Sequence, residues 1–289
     1  VSIGYVAAVA NGTLQGLKRF VPFGLTSVIS TTCKLIGGVA FVALGFGLYG
    51  NIAALFIGSL CALTFGLYML RDLLRLKGTE ASQVDWSEIR RYFHAVFWVQ
   101  LMTAILTNGD ILLVKTFAIH PTDAGIYSSG MVIGKISMYL ATATVAVLFP
   151  MVAEGQAKKQ DTCYLFARAM LLGGGIAVAF AAGINLFGKT AIDLLFGERY
   201  AQAVPLLLPI SCFVVAITFI TILMNYLTAR GETRFLAISL GIGFVIIVAL
   251  VSRFHESTSQ MLYIMSAILI TVFLVNLPTA LIHNKEMPS

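Results

Sequence analysis

Long apolar runs separated by short polar gaps dominate the chain. They lie at 21–45, 52–70, 92–118, 125–149, 163–187, 204–227, 235–252 and 260–282. Each run is close to the roughly 20 residues that an α-helix needs to cross a bilayer. The runs are continuous, whereas the strands of a membrane β-barrel alternate apolar and polar positions. The pattern therefore predicts an all-α, polytopic transmembrane helix bundle with about eight full spans.

The polar gaps alternate in their content of Lys and Arg. One set of gaps holds Lys18, Arg19, Arg71, Arg75, Lys77, Arg90, Arg91, Lys158, Lys159, Arg230, Arg234 and Lys285. The other set holds only Lys189, Arg199 and Arg253. Because loops rich in Lys and Arg stay in the cytoplasm, the first set predicts the cytoplasmic face and the second the outer face.

The composition agrees with a membrane protein and narrows the function. The chain is 58% hydrophobic and only 11% charged, whereas soluble domains carry about 25% charged residues. Its net charge of +6 is accounted for by the cytoplasmic gaps, so we expect no nucleic-acid partner. The glycines at 173–175 lack the Gly-Lys-Ser/Thr of a phosphate loop, and the four cysteines have no metal-site spacing. We therefore expect no cofactor, no metal and no enzymatic activity.

Two short segments resemble each other and suggest an internal duplication. Residues 11–20 and 225–235 both begin with Asn, pass a Gly and close with Arg-Phe. Two explanations remain open. The chain holds parts of two equivalent halves, as is common in transporters, or cytoplasmic helix-turn-helix connections simply favour Gly and Arg.

The duplication, if present, predicts how the chain is organised. Residues 1–76 would be the C-terminal part of an N-terminal lobe, with the end of helix four and helices five and six. Residues 77–91 would be a polar cytoplasmic linker, and residues 92–289 a C-terminal lobe with helices seven to twelve. Residues 1–12 resemble the tail of a ninth span, and the chain begins with Val1. We therefore expect it to be part of a longer protein whose first helices are missing here.

Five ionisable residues lie within the apolar runs, namely Lys34, Asp110, Lys115, Lys135 and Arg168. Such groups cost at least about 2.5–3.5 kcal/mol each on insertion scales and normally face the bundle interior. Lys115 and Arg168 lie near the ends of their runs and can reach the interface by snorkelling. Lys34, Asp110 and Lys135 lie deeper, and at 1.5 Å per residue their depths agree within about 5 Å.

Asp110 and Lys135 belong to consecutive predicted helices joined by a short loop, so we expect an ion pair between them. Asn108 and Gly109 precede the acid and should soften its helix and add a polar face. Two interpretations remain open: a structural salt bridge, or an aqueous cavity of net positive charge. Because Lys acts as a point charge toward phosphate, such a cavity would suit an anionic substrate. Its candidate residues are Lys34, Asn108, Asp110, Lys115, Lys135 and Arg168.

The outer segment 188–203 is amphipathic and carries Lys189, Asp193, Glu198 and Arg199. We expect it to form an interfacial helix or turn that closes the outer mouth of the bundle. A role in gating the substrate is the alternative interpretation.

Several short elements together carry a family resemblance. They are LQGLKRF at 14–20, GLYGNIAA at 47–54, NGDILLVKTF at 108–117, AGIYSSGMVIGK at 124–135, LFPMVAEG at 148–155 and LTARGETRF at 227–235. In this order the chain resembles the polysaccharide-transporter (Wzx-like) flippases of the multidrug/oligosaccharidyl-lipid/polysaccharide superfamily. The resemblance runs from late helix four to helix twelve and so covers nearly the whole chain.

The resemblance implies a fold, a function and partners. The fold would be a two-lobed, MATE-like bundle of twelve helices whose central cavity opens alternately to each side, here with an incomplete first lobe. Members flip undecaprenyl-diphosphate-linked oligosaccharides across the bacterial inner membrane for O-antigen, capsule or exopolysaccharide. Implied partners are this glycolipid, H⁺ or Na⁺, the lipid bilayer and polysaccharide polymerase machinery. Asp110, Lys115 and Lys135 match charged sites in the family's seventh and eighth helices, and Asp110 is the candidate for ion coupling.

Three other functions belong to different classes. A multidrug cation antiporter of the same superfamily would place acids and aromatic residues in its cavity. A lipid II flippase would share the positive cavity but usually has two further helices after the twelfth. A membrane-embedded glycan polymerase or ligase should show long outer loops with acids or a His/Arg cluster. The outer loops here are short, and His120 and His255 are isolated, which argues against the enzyme.

Overall fold

A computed structural model describes residues 2–74, 86–117, 122–158 and 160–281, and those residues form helices and turns without a β-strand. The chain divides into two compact units, Val1–Val84 and Asp85–Ser289. Their boundary falls inside the polar segment 77–91, of which residues 77–85 lie outside the described part. That these units are the two lobes of a transporter stays a prediction.

The first unit contains four helices: α1 (Ser2–Gly16), α2 (Phe20–Ala43), α3 (Gly47–Met69) and the single turn α4 (Arg71–Leu74). Every fourth residue of α3 is small and buried, namely Gly50, Ala54, Gly58, Ala62 and Gly66. A β-carbon on Gly37 of α2 would lie 3.1 Å from Ala54 Cβ, and one on Gly66 would lie 3.4 Å from Ala10 Cβ of α1. Because small residues let membrane helices approach closely, this stripe packs α3 against both neighbours.

Arg19 ties the turn between α1 and α2 to the end of α3. Its Nη1 donates to the Met69 carbonyl at 2.9 Å and to Asp72 Oδ1 at 3.1 Å, and its Nη2 forms an ion pair with Asp72 Oδ2. These hydrogen bonds from Arg19 hold the pKa of the Asp72 carboxyl below its usual value. A cation at this position also interacts favourably with the negative end of the α3 dipole.

The second unit contains the remaining helices. They are α5 (Trp86–Asn108), α6 (Asp110–Phe117), α7 (Asp123–Ala157), α8 (Cys163–Ala169), α9 (Gly175–Phe196), α10 (Leu207–Arg230), α11 (Arg234–Arg253) and α12 (Thr258–Leu281). Helix α10 lies at the centre and is buried along most of its length. Glycines on α7 allow this packing, because a β-carbon on Gly134 would lie 2.6 Å from Ile210 Cγ2.

Seven helices of the described residues are long and apolar enough to cross a membrane, and the count becomes eight when the bent pair α5 and α6 is taken as one span. The 15 residues of α1 precede them. This confirms the predicted all-α, multi-pass membrane protein.

One local prediction needs correction. The segment 188–203 is not one interfacial element, because Gly188–Phe196 continue α9 and only Glu198–Leu206 form a separate 3₁₀-helix after Gly197 at φ +83°. A left-handed φ at Gly197 ends the helix there. The span predicted from 163 is present as Cys163–Phe196. It contains a π-helical turn, Met170–Gly174, where Gly173 and Gly174 allow Ile222 and Phe219 of α10 to approach.

Arg230 donates a hydrogen bond to a carbonyl at the C-terminal end of α12, as Arg19 does at the C-terminal end of α3. Arg230 Nη1 donates to the Ala280 carbonyl at 3.2 Å, and each arginine contacts a carbonyl 50 residues further along the chain. Both arginines stand at the turn between two helices and reach the last turn of the third. The two arginines are not equivalent positions of the repeated segments, however, because Arg19-Phe20 aligns with Arg234-Phe235. That 11–20 and 225–235 belong to equivalent halves stays a prediction.

Candidate functional site

A sharp bend separates α5 from α6 and determines where Asp110 lies. The two helices meet at 46° around Gly109, whose N–H donates to the Ile105 carbonyl at 2.6 Å. A β-carbon on Gly109 would collide with that same carbonyl oxygen, so the bend requires glycine. The predicted softening at Asn108 and Gly109 is thus confirmed as a break in the span. The break places Asp110 in the first turn of α6.

Asp110 is the centre of a buried polar cluster between α6 and α7. The Tyr127 hydroxyl donates to Asp110 Oδ2 at 2.5 Å, and the Lys135 ammonium lies 3.7 Å from Asp110 Oδ1. The expected ion pair between Asp110 and Lys135 is therefore confirmed. Oδ1 is buried and has no hydrogen-bond partner within the described residues, so it can accept one more donor.

The cluster occupies one face of α7. Tyr127, Met131 and Lys135 follow at intervals of four residues, which places them on the same side of a helix. The side chains of Tyr127 and Asp110 are fully buried or nearly so, while the Lys135 side chain is 18% exposed. Lys135 therefore connects the buried carboxylate to the accessible surface of this unit.

The arrangement stabilises a carboxylate inside a membrane span in three ways. Lys135 supplies an opposite charge, Tyr127 a hydrogen bond, and the N-terminal end of α6 a positive dipole. The separation of 3.7 Å is an ion-pair distance but is longer than a hydrogen bond, so the ammonium keeps its donors. A proton or small cation at Oδ1 would neutralise Asp110 and leave the charge on Lys135 uncompensated.

The other predicted cavity residues do not join this cluster. Asn108 is exposed and donates to the Ala104 carbonyl of its own helix at 3.1 Å. Lys115 is exposed near the end of α6, and Arg168 is exposed with its guanidinium carbon 5.5 Å from the Tyr164 ring centre. Neither cation forms an ion pair within the part of the chain that the structure describes. Their membership of a substrate cavity stays a prediction.

Lys34 belongs to the first unit, on α2. Its aliphatic stem crosses Gly58 of α3, where a β-carbon would collide with Lys34 Cγ. Gly58 therefore leaves the room that the lysine stem occupies, and Lys34 is half-buried. The predicted common depth of Lys34 and the Asp110–Lys135 pair stays a prediction, since the two units are described separately.

Two groups of functional interest were missed by the sequence reasoning. Tyr127 stands in a mainly apolar stretch, and its position eight residues before Lys135 was the available signal. A second cluster joins three helices at the predicted cytoplasmic end, where Arg230 donates to the Tyr226 hydroxyl at 3.3 Å and pairs with Glu232 at 2.7 Å. Thr162 lies 3.2 Å from the same hydroxyl, and no sequence pattern brought it together with Tyr226.

The fold and the site define a multi-pass helical membrane protein with a buried acid–base pair in a broken span. The chain belongs to the polysaccharide biosynthesis protein family, whose family model matches residues 2–205. The matched region includes Asp110, Tyr127 and Lys135. No curated protein and no solved structure matches the chain. Family membership confirms the resemblance at the level of a polysaccharide biosynthesis protein.

Proposed function

We propose that this protein is a transporter, not an enzyme, that flips polyprenyl-diphosphate-linked oligosaccharides across the bacterial inner membrane. The glycolipid would move from the cytoplasmic to the outer leaflet and feed the polymerisation of O-antigen, capsule or exopolysaccharide. The observation that carries the proposal is the buried Asp110–Lys135 pair within a membrane protein of the polysaccharide biosynthesis family.

The pair offers a simple way to couple ion movement to an anionic substrate. Buried ion pairs are rarely worth their desolvation as stabilising contacts alone, and ionisable residues in spans mark transport pathways. When H⁺ or Na⁺ neutralises Asp110, Lys135 gains an uncompensated charge and attracts a diphosphate. When the ion leaves, Asp110 competes for the lysine and weakens the hold on the substrate. This is reciprocal coupling between two ligands through one ion pair.

Tyr127 gives the carboxylate two unequal oxygens. Oδ2 accepts the tyrosine hydrogen bond, while Oδ1 faces Lys135 and has no hydrogen-bond partner among the described residues. Because the tyrosine fixes the orientation of the carboxylate, Oδ1 stays available for the exchanging ion. Alternating access would then depend on whether Oδ1 binds the coupling ion.

Complementation tests the function. The gene encoding this chain is expressed in a bacterial strain that lacks its own O-antigen flippase and makes a matched sugar repeat, and surface polysaccharide is read on a gel. We expect wild type to restore polymer and Lys135→Ala to lose it at equal membrane expression. Lys158→Ala, which changes an exposed lysine at the end of α7, is the matched control and should restore polymer.

Failure of wild type despite normal expression would contradict the flippase. Two further assays separate the superfamily alternatives. One measures growth of the same strain in cationic drugs, and the other measures rescue of a strain that lacks its lipid II flippase. Resistance to cationic drugs would indicate a multidrug antiporter, and rescue of a strain lacking its lipid II flippase would indicate that function.

A further inference from the structure

We propose that a groove between α5 and α11, at their predicted cytoplasmic ends, is the site that receives the polyprenyl diphosphate lipid before transport. The proposal rests on the proposed function and adds to it a loading site for the substrate. The ligand class is a lipid with a diphosphate headgroup and one isoprenoid chain.

The groove has a volume of about 580 Å³ and lies wholly in the second unit. Its walls are His94, Trp98 and Met102 of α5 and Thr233, Arg234, Ala237, Ile238 and Gly241 around the start of α11. The α5 residues follow at intervals of four, and those of α11 at intervals of three or four, so each set occupies one helix face. Both helices begin at the cytoplasmic side by the distribution of Lys and Arg.

The body of the groove is apolar and open. Trp98 and Ile238 are 53% and 56% exposed. A β-carbon on Gly241 would meet no atom within 4 Å, so the absent side chain leaves space in the groove. Apolar walls at membrane depth suit a hydrocarbon chain and would repel a sugar or a phosphate.

The cytoplasmic end of the groove is basic. Arg234 and His94 line it, and Arg234 is exposed with no ion-pair partner within the described residues. Arg234 also begins α11, so the positive end of that helix dipole adds to its charge. Arginine forms two parallel hydrogen bonds with phosphate oxygens, and basic pockets between helices on the cytoplasmic side bind phosphorylated lipid headgroups. This charge is complementary to a diphosphate.

The α5 wall of the groove and the buried Asp110 belong to the same bent pair of helices. Met102 at its far end is eight residues before Asp110 on the same span, or about 12 Å at 1.5 Å per residue. A single groove between two helices suits the one isoprenoid chain of a polyprenyl lipid better than the two acyl chains of a phospholipid.

The chain offers its own reporter for binding. It contains two tryptophans, Trp86 and Trp98, so Trp86→Phe leaves a single tryptophan inside the groove. The purified protein is placed in nanodiscs of neutral phosphatidylcholine and titrated with undecaprenyl diphosphate, and separately with phosphatidylglycerol. We expect a saturable change in Trp98 fluorescence with the diphosphate and a much weaker response to phosphatidylglycerol.

Two substitutions in the same background test the two parts of the groove. Arg234→Gln removes a charged hydrogen bond and should weaken binding roughly tenfold. Gly241→Leu fills the apolar body and should weaken binding by a similar factor. Gly183→Leu is the matched control, because a β-carbon there also meets nothing within 4 Å and both glycines are half-buried.

Three results would overturn the proposal: no response to undecaprenyl diphosphate, an equal response to phosphatidylglycerol, or unchanged binding in Gly241→Leu and Arg234→Gln. The second of these would indicate a general site for anionic lipids. If any of these results is found while the wild-type protein still restores surface polysaccharide in the complementation strain, the loading site is contradicted and the proposed flippase function is not. Failure of the wild-type protein to restore surface polysaccharide would instead contradict the proposed function itself.

Discussion

The Tyr127 hydroxyl donates a hydrogen bond of 2.5 Å to Asp110 Oδ2 across the contact between α6 and α7. Both side chains are shielded from solvent, and Asp110 lies directly after the break at Gly109. It fixes the carboxylate so that its second oxygen faces Lys135. A buried charge in a membrane helix thereby acquires a defined orientation, which is the property that an ion-coupled site needs.

Tyr127→Phe tests that orientation. The ring keeps its packing while the hydrogen bond to Asp110 is lost, and a bond to a charged group is worth about 1.5–3 kcal/mol. We expect export to fall about tenfold or more at unchanged expression, measured as surface polysaccharide over time after induction. Tyr263→Phe, which changes a half-exposed tyrosine on α12, should leave export unchanged. Equal export from both variants would argue against a role for the Tyr127 hydroxyl.

The charges of Asp110 and Lys135 should be coupled in their effect on stability, and export should require both of them. Removing one partner of a buried pair costs about 3–5 kcal/mol, because the other charge is left unpaired. Asp110→Asn or Lys135→Met alone should lower the apparent melting temperature in detergent, and the double variant should recover part of the loss. Export should be lost in all three. A double variant no more stable than the weaker single variant would show that the two charges do not interact.

Gly109→Ala should disturb the same site through the backbone. The added methyl would collide with the Ile105 carbonyl, so the bend must open and Asp110 must shift. We expect reduced export together with a lower melting temperature. Gly125→Ala is a suitable control, because the β-carbon there meets nothing within 4 Å. Normal export from Gly109→Ala would mean that the bend is not needed.

The two arginine contacts at the helix ends should differ in strength. Arg230 has a side chain only 6% exposed and joins Tyr226, Glu232 and the Ala280 carbonyl, whereas the Arg19 side chain is 37% exposed. Surface pairs contribute little and buried ones leave unsatisfied groups when broken. Arg230→Ala should therefore lower the melting temperature more than Arg19→Ala, as measured by the fraction of monodisperse protein after heating. The reverse order would contradict the geometry.

Hydrophobic length was enough to predict the spans, because a bilayer demands apolar helices of nearly fixed length. The run at 235–252 agrees with α11 to within one residue at each end. The π-helical turn at Met170–Gly174 was not predictable from the sequence, because Gly173 and Gly174 lie there against Ile222 and Phe219 of α10. The predicted end of that run at 187 fell short of Phe196, although Gly197 is the sequence signal for the end of α9.

The ion pair was predictable for a different reason. Two opposite charges on consecutive spans have few partners, so Asp110 and Lys135 were expected to meet. The hydrogen bond from Tyr127 was not predictable, because a tyrosine in an apolar helix usually packs as an aromatic residue. Tyr226 and Arg230 are four residues apart on α10, whereas Thr162 is distant in sequence, and only the packing of α8 on α10 brings it to them.

Transport by the purified protein is the most direct test of the central claim. The protein and its Asp110→Asn variant are reconstituted into liposomes with a fluorescent polyprenyl-diphosphate oligosaccharide, and a membrane-impermeant quencher reports the label in the outer leaflet. We expect wild type to expose the inner label faster than Asp110→Asn, with a rate that responds to an imposed H⁺ or Na⁺ gradient. Equal rates in wild-type, variant and protein-free liposomes would contradict a glycolipid flippase that works through this ion pair.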